Sequence, residues 1–215
     1  IYAAYGFKEF VIALGYKGDA IKDYFLSYHY RANSLTVHTK TGNVTVQDGD
    51  CEDWTVHLLD TALNSQTGGR VKKVAQFIGE QTFMLTYGDG VANIDIQQLL
   101  AFHKSHGRLA TVTAVRPPAR FGNLRFEGDL VTAFEEKPQI GEGWINGGFF
   151  VLEPKVANYI KGDEVIFEQE PLERLAQEGQ LVAYRHQGFW QCMDTLRDVR
   201  LLESLWQKGK APWKL

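Results

Sequence analysis

The chain is expected to fold as a Rossmann-like α/β domain, a three-layer sandwich around a mainly parallel mixed sheet. Three observations predict it. Short apolar runs alternate with amphipathic stretches along most of the 215 residues, the pattern of strands joined by crossover helices. The apolar runs are near-continuous rather than alternating, as strands covered on both faces require. Two further segments break the alternation and read as hairpins at the rim.

Ile1–Gly6 has the form of a last helical turn closed by a glycine. Strands are predicted at 10–14, 54–59, 83–87, 110–115 and 148–152. Helices are predicted at 20–30, 70–78 and 94–106, with 167–177 and 196–208 helical at the end. Val71, Val74, Phe77 and Ile78 share one helical face, which leaves Lys72 and Lys73 pointing outward. Leu35–His38 faces Val44–Val46 across Thr41-Gly42-Asn43, and 121–136 turns at Gly128-Asp129. No repeat or long linker interrupts the chain, so residues 1–215 are expected to form one domain. Because the chain opens mid-pattern on Ile1, the natural polypeptide is expected to begin earlier.

Hydrophobic residues make up 44% and charged residues 23%, with a net charge of −3. That balance suits a globular protein and offers no basic field for nucleic acid. No apolar run approaches the roughly 18 residues of a membrane span. No nucleic-acid or membrane partner is expected, and the cytoplasm is the expected location. Cys51 and Cys192 have no metal-ligand spacing and are expected to be buried thiols.

Several short segments have the residue types that phosphate and sugar chemistry uses. Tyr87-Gly88-Asp89-Gly90 ends a buried strand on a carboxylate between glycines. The carboxyl end of such a strand is where open α/β sheets bind ligands, and one Asp there suits Mg2+, although Gly-Asp-Gly equally suits a tight turn. Thr67-Gly68-Gly69-Arg70 precedes a helix and is either an anion-binding nest or an ordinary helix start. Glu136-Lys137-Pro138 offers a cation at a strand end, or a solvated charge run. Asn146-Gly147-Gly148 opens a strand with an amide able to read hydroxyls, or with a turn. Trp190 lies in a short aromatic strand that ends at Asp194, which is either a second carboxylate or a helix cap. His103 and His106 are expected on a solvated helix face.

In this order, Tyr87–Gly90, Glu136–Pro138, Asn146–Gly148 and Met193-Asp194-Thr195 resemble the sugar-phosphate nucleotidylyltransferase family. Asp60-Thr61, Thr67–Arg70, Gly188-Phe189-Trp190 and the Lys208–Lys214 tail resemble its glucose-1-phosphate cytidylyltransferase branch. The resemblance implies that Asp89 and Asp194 bind one Mg2+. It places Thr67, Gly68, Gly69, Arg70 and Gly88 against the nucleotide. Gly122, Glu136, Lys137, Asn146, Gly147 and Trp190 would meet the sugar phosphate, with Lys137, Asp89 and Asp194 catalytic. The implied partners are CTP, glucose 1-phosphate and CDP-glucose, a precursor of bacterial surface polysaccharide such as O-antigen. A thymidylyl- or uridylyltransferase, or a silent sugar-nucleotide-binding domain, shares the generic motifs. The family's N-terminal strand and Gly-rich loop are absent from this sequence, so the chain by itself is expected to turn over poorly. Trp206 and Trp213 are expected to be exposed and to suit a homo-oligomer interface.

Overall fold

The structure, a computed structural model, describes every residue except 48, 50, 118–122, 128, 136–142 and 215, with 123–126 and 133–135 described by backbone alone. A 3-10 turn at Tyr2–Tyr5 ends on Gly6, which adopts φ 88°. There follow β1 (Glu9–Leu14), α1 (Gly18–Leu26), α2 (Tyr28–Ala32), β2 (Ser34–His38), β3 (Asn43–Gln47) and β4 (Thr55–Asp60). Next are α3 (Thr67–Ile78), β5 (Phe83–Thr86), β6 (Gly90–Ala92), α4 (Ile96–His106) and β7 (Ala110–Val115). The rest comprises β8 (Asn123–Glu127), β9 (Leu130–Glu135), β10 (Ile145–Leu152), α5 (Glu170–Gln177), β11 (Leu181–Arg185), β12 (Trp190–Cys192) and α6 (Leu196–Gln207).

Strand β10 is the centre of the fold. It lies between β5 and β7, antiparallel to both, while β11 extends the sheet parallel to β7. The strands β5, β7 and β11 thus share one direction and β10 reverses it. A separate parallel pair joins β1 to β4. Side chains alternate along β10: Phe150 and Leu152 enter one apolar cluster with Val71, Ala75, Phe167 and Leu175, and Phe149 and Val151 enter another with Ile94, Ile96 and Leu99. A strand buried on both faces needs a layer on each side; α3 and α5 form one and α4 the other. The three-layer arrangement therefore follows from the period of two in a single strand.

Both rim hairpins form as expected, β2 with β3 and β8 with β9; Gly128 at the second turn lies outside the described residues. The helix expected at 20–30 is two. Ser27 ends the first by returning its hydroxyl to the Asp23 carbonyl at 2.5 Å, a side-chain competition that interrupts helices. Strands β6 and β11 were not predicted. Each is short, and β11 follows directly on the turn at Gly179, so neither has a long pattern in the sequence.

Other expectations are corrected. Lys72 and Lys73 do not point outward: Lys72 Nζ donates to the Ile160 carbonyl at 2.8 Å, and Lys73 Nζ to the Thr61 carbonyl and to Asp163. His103 is 1% exposed. It meets Thr111 Oγ1 at 2.8 Å and Glu153 Oε1 at 3.1 Å, polar partners that make burial tolerable. Cys51 and Cys192 are half-buried free thiols. Trp206 is exposed as expected, but Trp213 is half-buried and stacks on Phe189 with centroids 5.5 Å apart.

Candidate active site

The site collects at the carboxyl end of β5. Past Thr86 the chain stays bonded to β10, with Tyr87 N–H donating to the Gly148 carbonyl at 3.0 Å. It then turns through Gly88 and Asp89 into β6, which pairs antiparallel with β12 so that Cys192 faces Gly90. The ladder runs one step further, since Met193 N–H donates to the Asp89 carbonyl at 2.8 Å. Asp194 therefore follows the residue bonded to Asp89. Two aspartates far apart in sequence thus occupy neighbouring positions on the β6–β12 ladder, and both are exposed.

Asp194 does not cap α6. That role falls to Thr195, whose hydroxyl accepts from Asp198 N–H while the Asp198 carboxylate accepts from Thr195 N–H, a full capping box. The Asp194 carboxylate accepts instead from Cys192 Sγ at 3.3 Å, and the Cys192 thiol is pushed up in pKa by burial and by that carboxylate. Two hard carboxylate oxygens at a strand end suit Mg2+, which takes few protein carboxylates and completes its shell with phosphate oxygens and water. The donor set fits.

A cavity of about 390 Å³ opens beside Asp89, lined by Thr67, Tyr87, Gly88, Asp89 and Glu168. Trp190 Nε1 donates to the Gly147 carbonyl at 2.8 Å, tying β12 to the start of β10. Gly147 lies at the irregularity in the β10–β7 register, where an added Cβ would fall 2.7 Å from Val115 Cγ1. Asn146 Oδ1 accepts from Gly148 N–H at 2.8 Å, and its Nδ2 donates to the Tyr87 hydroxyl at 3.1 Å. Thr67, Gly88 and Asp89 thus line one cavity, Asn146 is bonded to its Tyr87, and Gly147 and Trp190 are bonded to each other. Gly122, Glu136 and Lys137 lie outside the described residues.

The segment 67–70 behaves differently from an anion nest. Gly68 N–H donates to the Val165 carbonyl at 2.9 Å, so that amide is occupied. Arg70 Nη1 donates to the Leu14 carbonyl at 3.0 Å and to Thr61 Oγ1 at 2.6 Å, and Nη2 to the Leu63 carbonyl at 3.3 Å. Its guanidinium clamps the ends of β1 and β4. Glu168, which the sequence did not single out, accepts from Thr67 Oγ1 at 2.6 Å and from the Tyr87 hydroxyl. Burial, reinforced by that carboxylate, pushes the Tyr87 phenol well above its ordinary pKa.

Residues 18–208 match the Nucleotidyl transferase family. The chain belongs to that family. A glucose-1-phosphate cytidylyltransferase of Salmonella typhi is 49% identical to this nucleotidyl transferase over 215 residues, all of this chain and 84% of the relative. The mannose-1-phosphate guanylyltransferase catalytic subunit beta of Danio rerio is 34% identical over 116 residues, 52% of this chain and 32% of that one. Among solved structures, HddC from Yersinia pseudotuberculosis superposes with a TM-score of 0.61 over 91% of this chain and 77% of its own, at 20% identity. At that identity the likeness establishes a shared fold.

Proposed function

We propose that this nucleotidyl transferase moves a cytidylyl group from CTP to α-D-glucose 1-phosphate, giving CDP-glucose and pyrophosphate, with Asp89 and Asp194 as ligands of one Mg2+. The likeness of the whole given chain to most of a cytidylyltransferase supports the substrates. The observation that supports the site is the Met193–Asp89 main-chain bond, which puts Asp194 next in the chain to the residue paired with Asp89, beside the cavity that Asp89 lines. Magnesium held by Asp89 and Asp194 would supply positive charge to offset that of the phosphates.

A phosphate oxygen of the sugar phosphate attacks the α-phosphorus of CTP as the bond to the β-phosphate oxygen breaks, and pyrophosphate departs. The attacking group is already an anion, so no general base is needed. Catalysis reduces to holding two polyanions in line. Asn146 and the main chain at Gly147 orient the hexose hydroxyls, and the Trp190–Gly147 bond holds that edge against the aspartates. Glu136, Lys137 and Gly122 are proposed to grip the sugar phosphate, with Lys137 as its counter-charge. Thr67 and Gly88 border the nucleotide side. We further propose one domain over 1–215, a cytoplasmic homo-oligomer using the exposed α6 face around Leu201 and Trp206, and a role in supplying sugars for surface polysaccharide.

Pyrophosphate release, assayed with glucose 1-phosphate and each of CTP, UTP and dTTP, tests the reading. The highest kcat/KM is expected with CTP; preference for another nucleotide refutes the cytidylyl assignment. Binding of CDP-glucose without any pyrophosphate release would instead mark a silent binder. Asp89→Asn and Asp194→Asn are each expected to lower kcat by about a hundredfold or more.

A further inference from the structure

We infer that Glu168 is a positioning residue which, through the Tyr87 hydroxyl, fixes the Asn146 amide in the orientation that meets the sugar. The inference rests on the proposal that Asn146 contacts the hexose. The proton inventory of the cluster argues for it. Thr67 Oγ1 accepts from Phe167 N–H at 2.9 Å, so its single proton goes to Glu168 Oε2 at 2.6 Å. The Tyr87 proton goes to the other carboxylate oxygen. A carboxylate only accepts, so the phenol must donate to it and is left with lone pairs alone for Asn146. Asn146 answers with Nδ2 at 3.1 Å, while Oδ1 faces the Gly148 N–H, which only donates. The amide is thus fixed at both ends, and one Nδ2 hydrogen and one Oδ1 lone pair are left for a hydroxyl. Without the carboxylate the phenol proton can turn to Asn146, and the amide is no longer held in one sense.

The ring of Tyr87 is placed independently of its hydroxyl. It packs on Phe150 with centroids 5.9 Å apart, and it lies so close to Gly148 that a Cβ there would come within 2.7 Å of Tyr87 Cδ2. Gly148 itself holds φ 76°, which favours glycine. Tyr87→Phe therefore removes the relay and keeps the packing.

The test measures KM for glucose 1-phosphate and for CTP in Tyr87→Phe, Glu168→Ala, Asn146→Ala and the two double variants with Asn146→Ala, with thermal midpoints alongside. Tyr87→Phe and Glu168→Ala are expected to raise KM for glucose 1-phosphate about fivefold, one hydrogen bond's worth, while in Tyr87→Phe, which leaves the Thr67–Glu168 bond in place, KM for CTP stays within about twofold. Neither adds to Asn146→Ala in the double variant. An additive double variant, or equal effects on both substrates in Tyr87→Phe, overturns the inference while Asn146 keeps its role. If Asn146→Ala leaves KM for glucose 1-phosphate unchanged, the sugar-contact proposal fails first and the relay with it. Should Glu168→Ala unfold, Glu168→Gln replaces it, with a smaller rise in the same KM expected and no change overturning the relay.

Discussion

A methyl group added at Gly68 would lie 2.6 Å from the Val165 carbonyl oxygen, and at Gly88 it would meet nothing within 4 Å. The first glycine lets the start of α3 press on the loop before α5; the second borders the cavity. Gly68→Ala is therefore expected to destabilise the fold by about 1–3 kcal/mol through overpacking. Gly88→Ala should leave the thermal midpoint in place and raise KM for CTP. Melting curves paired with steady-state kinetics separate the two, and equal loss of stability in both would contradict the assignment. At this scale the sequence was an incomplete guide. Arg70 reads the same whether its guanidinium meets a phosphate or carbonyls, and the carbonyl that claims it belongs to Leu14, 56 positions away. His103 is silent for the same reason, because Thr111 and Glu153 that satisfy it belong to other elements. The strand-end position of Asp89 was legible because its flanking glycines and preceding strand are local.

Among elements, β12 has little of its own to hold it, being three residues long and paired only with β6 among the described strands. The Trp190 indole bonded to Gly147 is what anchors it to β10. Trp190→Phe keeps an aromatic ring and loses that bond, a change of about 1 kcal/mol. We expect its effect to fall on kcat, through misplaced Asp194, more than on the thermal midpoint; a matching fall in both would make Trp190 a plain core residue. Element existence was largely readable, since β1, β4, β5, β7 and β10 have contiguous apolar runs. Strand β6 was not, because its three residues form a strand only where β12 lies beside them.

For the molecule as a whole, the polar chain between α4 and β7 predicts acid sensitivity. Burial, then the neighbouring His103 and Arg108, hold His106 below its ordinary pKa. His106 Nδ1 accepts from Arg108 N–H at 3.0 Å, and Nε2 faces Thr111 Oγ1 at 2.8 Å, an arrangement of the neutral ring. The unfolded chain takes the proton near pH 6.5, before the folded one does, so below that value the unfolded state binds more protons. Stability is thus full above about pH 6.5 and falls as pH drops towards the lower folded value. Thermal melts between pH 7.5 and 5.5 should show this slope, and His106→Gln should flatten it. An unchanged slope in the variant would assign the sensitivity elsewhere. The three-layer plan was readable from the sequence; this network was not, since it depends on which helix face the sheet covers.

The bond from Met193 to Asp89 has a consequence for what changes the site can absorb. Its spacing is set by backbone register, to which side-chain identity at Val91 or Gln191 contributes only indirectly. A residue advances about 3.3 Å along a strand. One residue inserted between Gln191 and Asp194 would move that carboxylate by a full step and turn it to the other face, whereas point changes at Val91 or Gln191 leave the spacing intact. The site is therefore tolerant in its alphabet and intolerant in its counting: length variants across 190–194 should be inactive yet folded, and active ones should keep the same number of residues between Trp190 and Asp194.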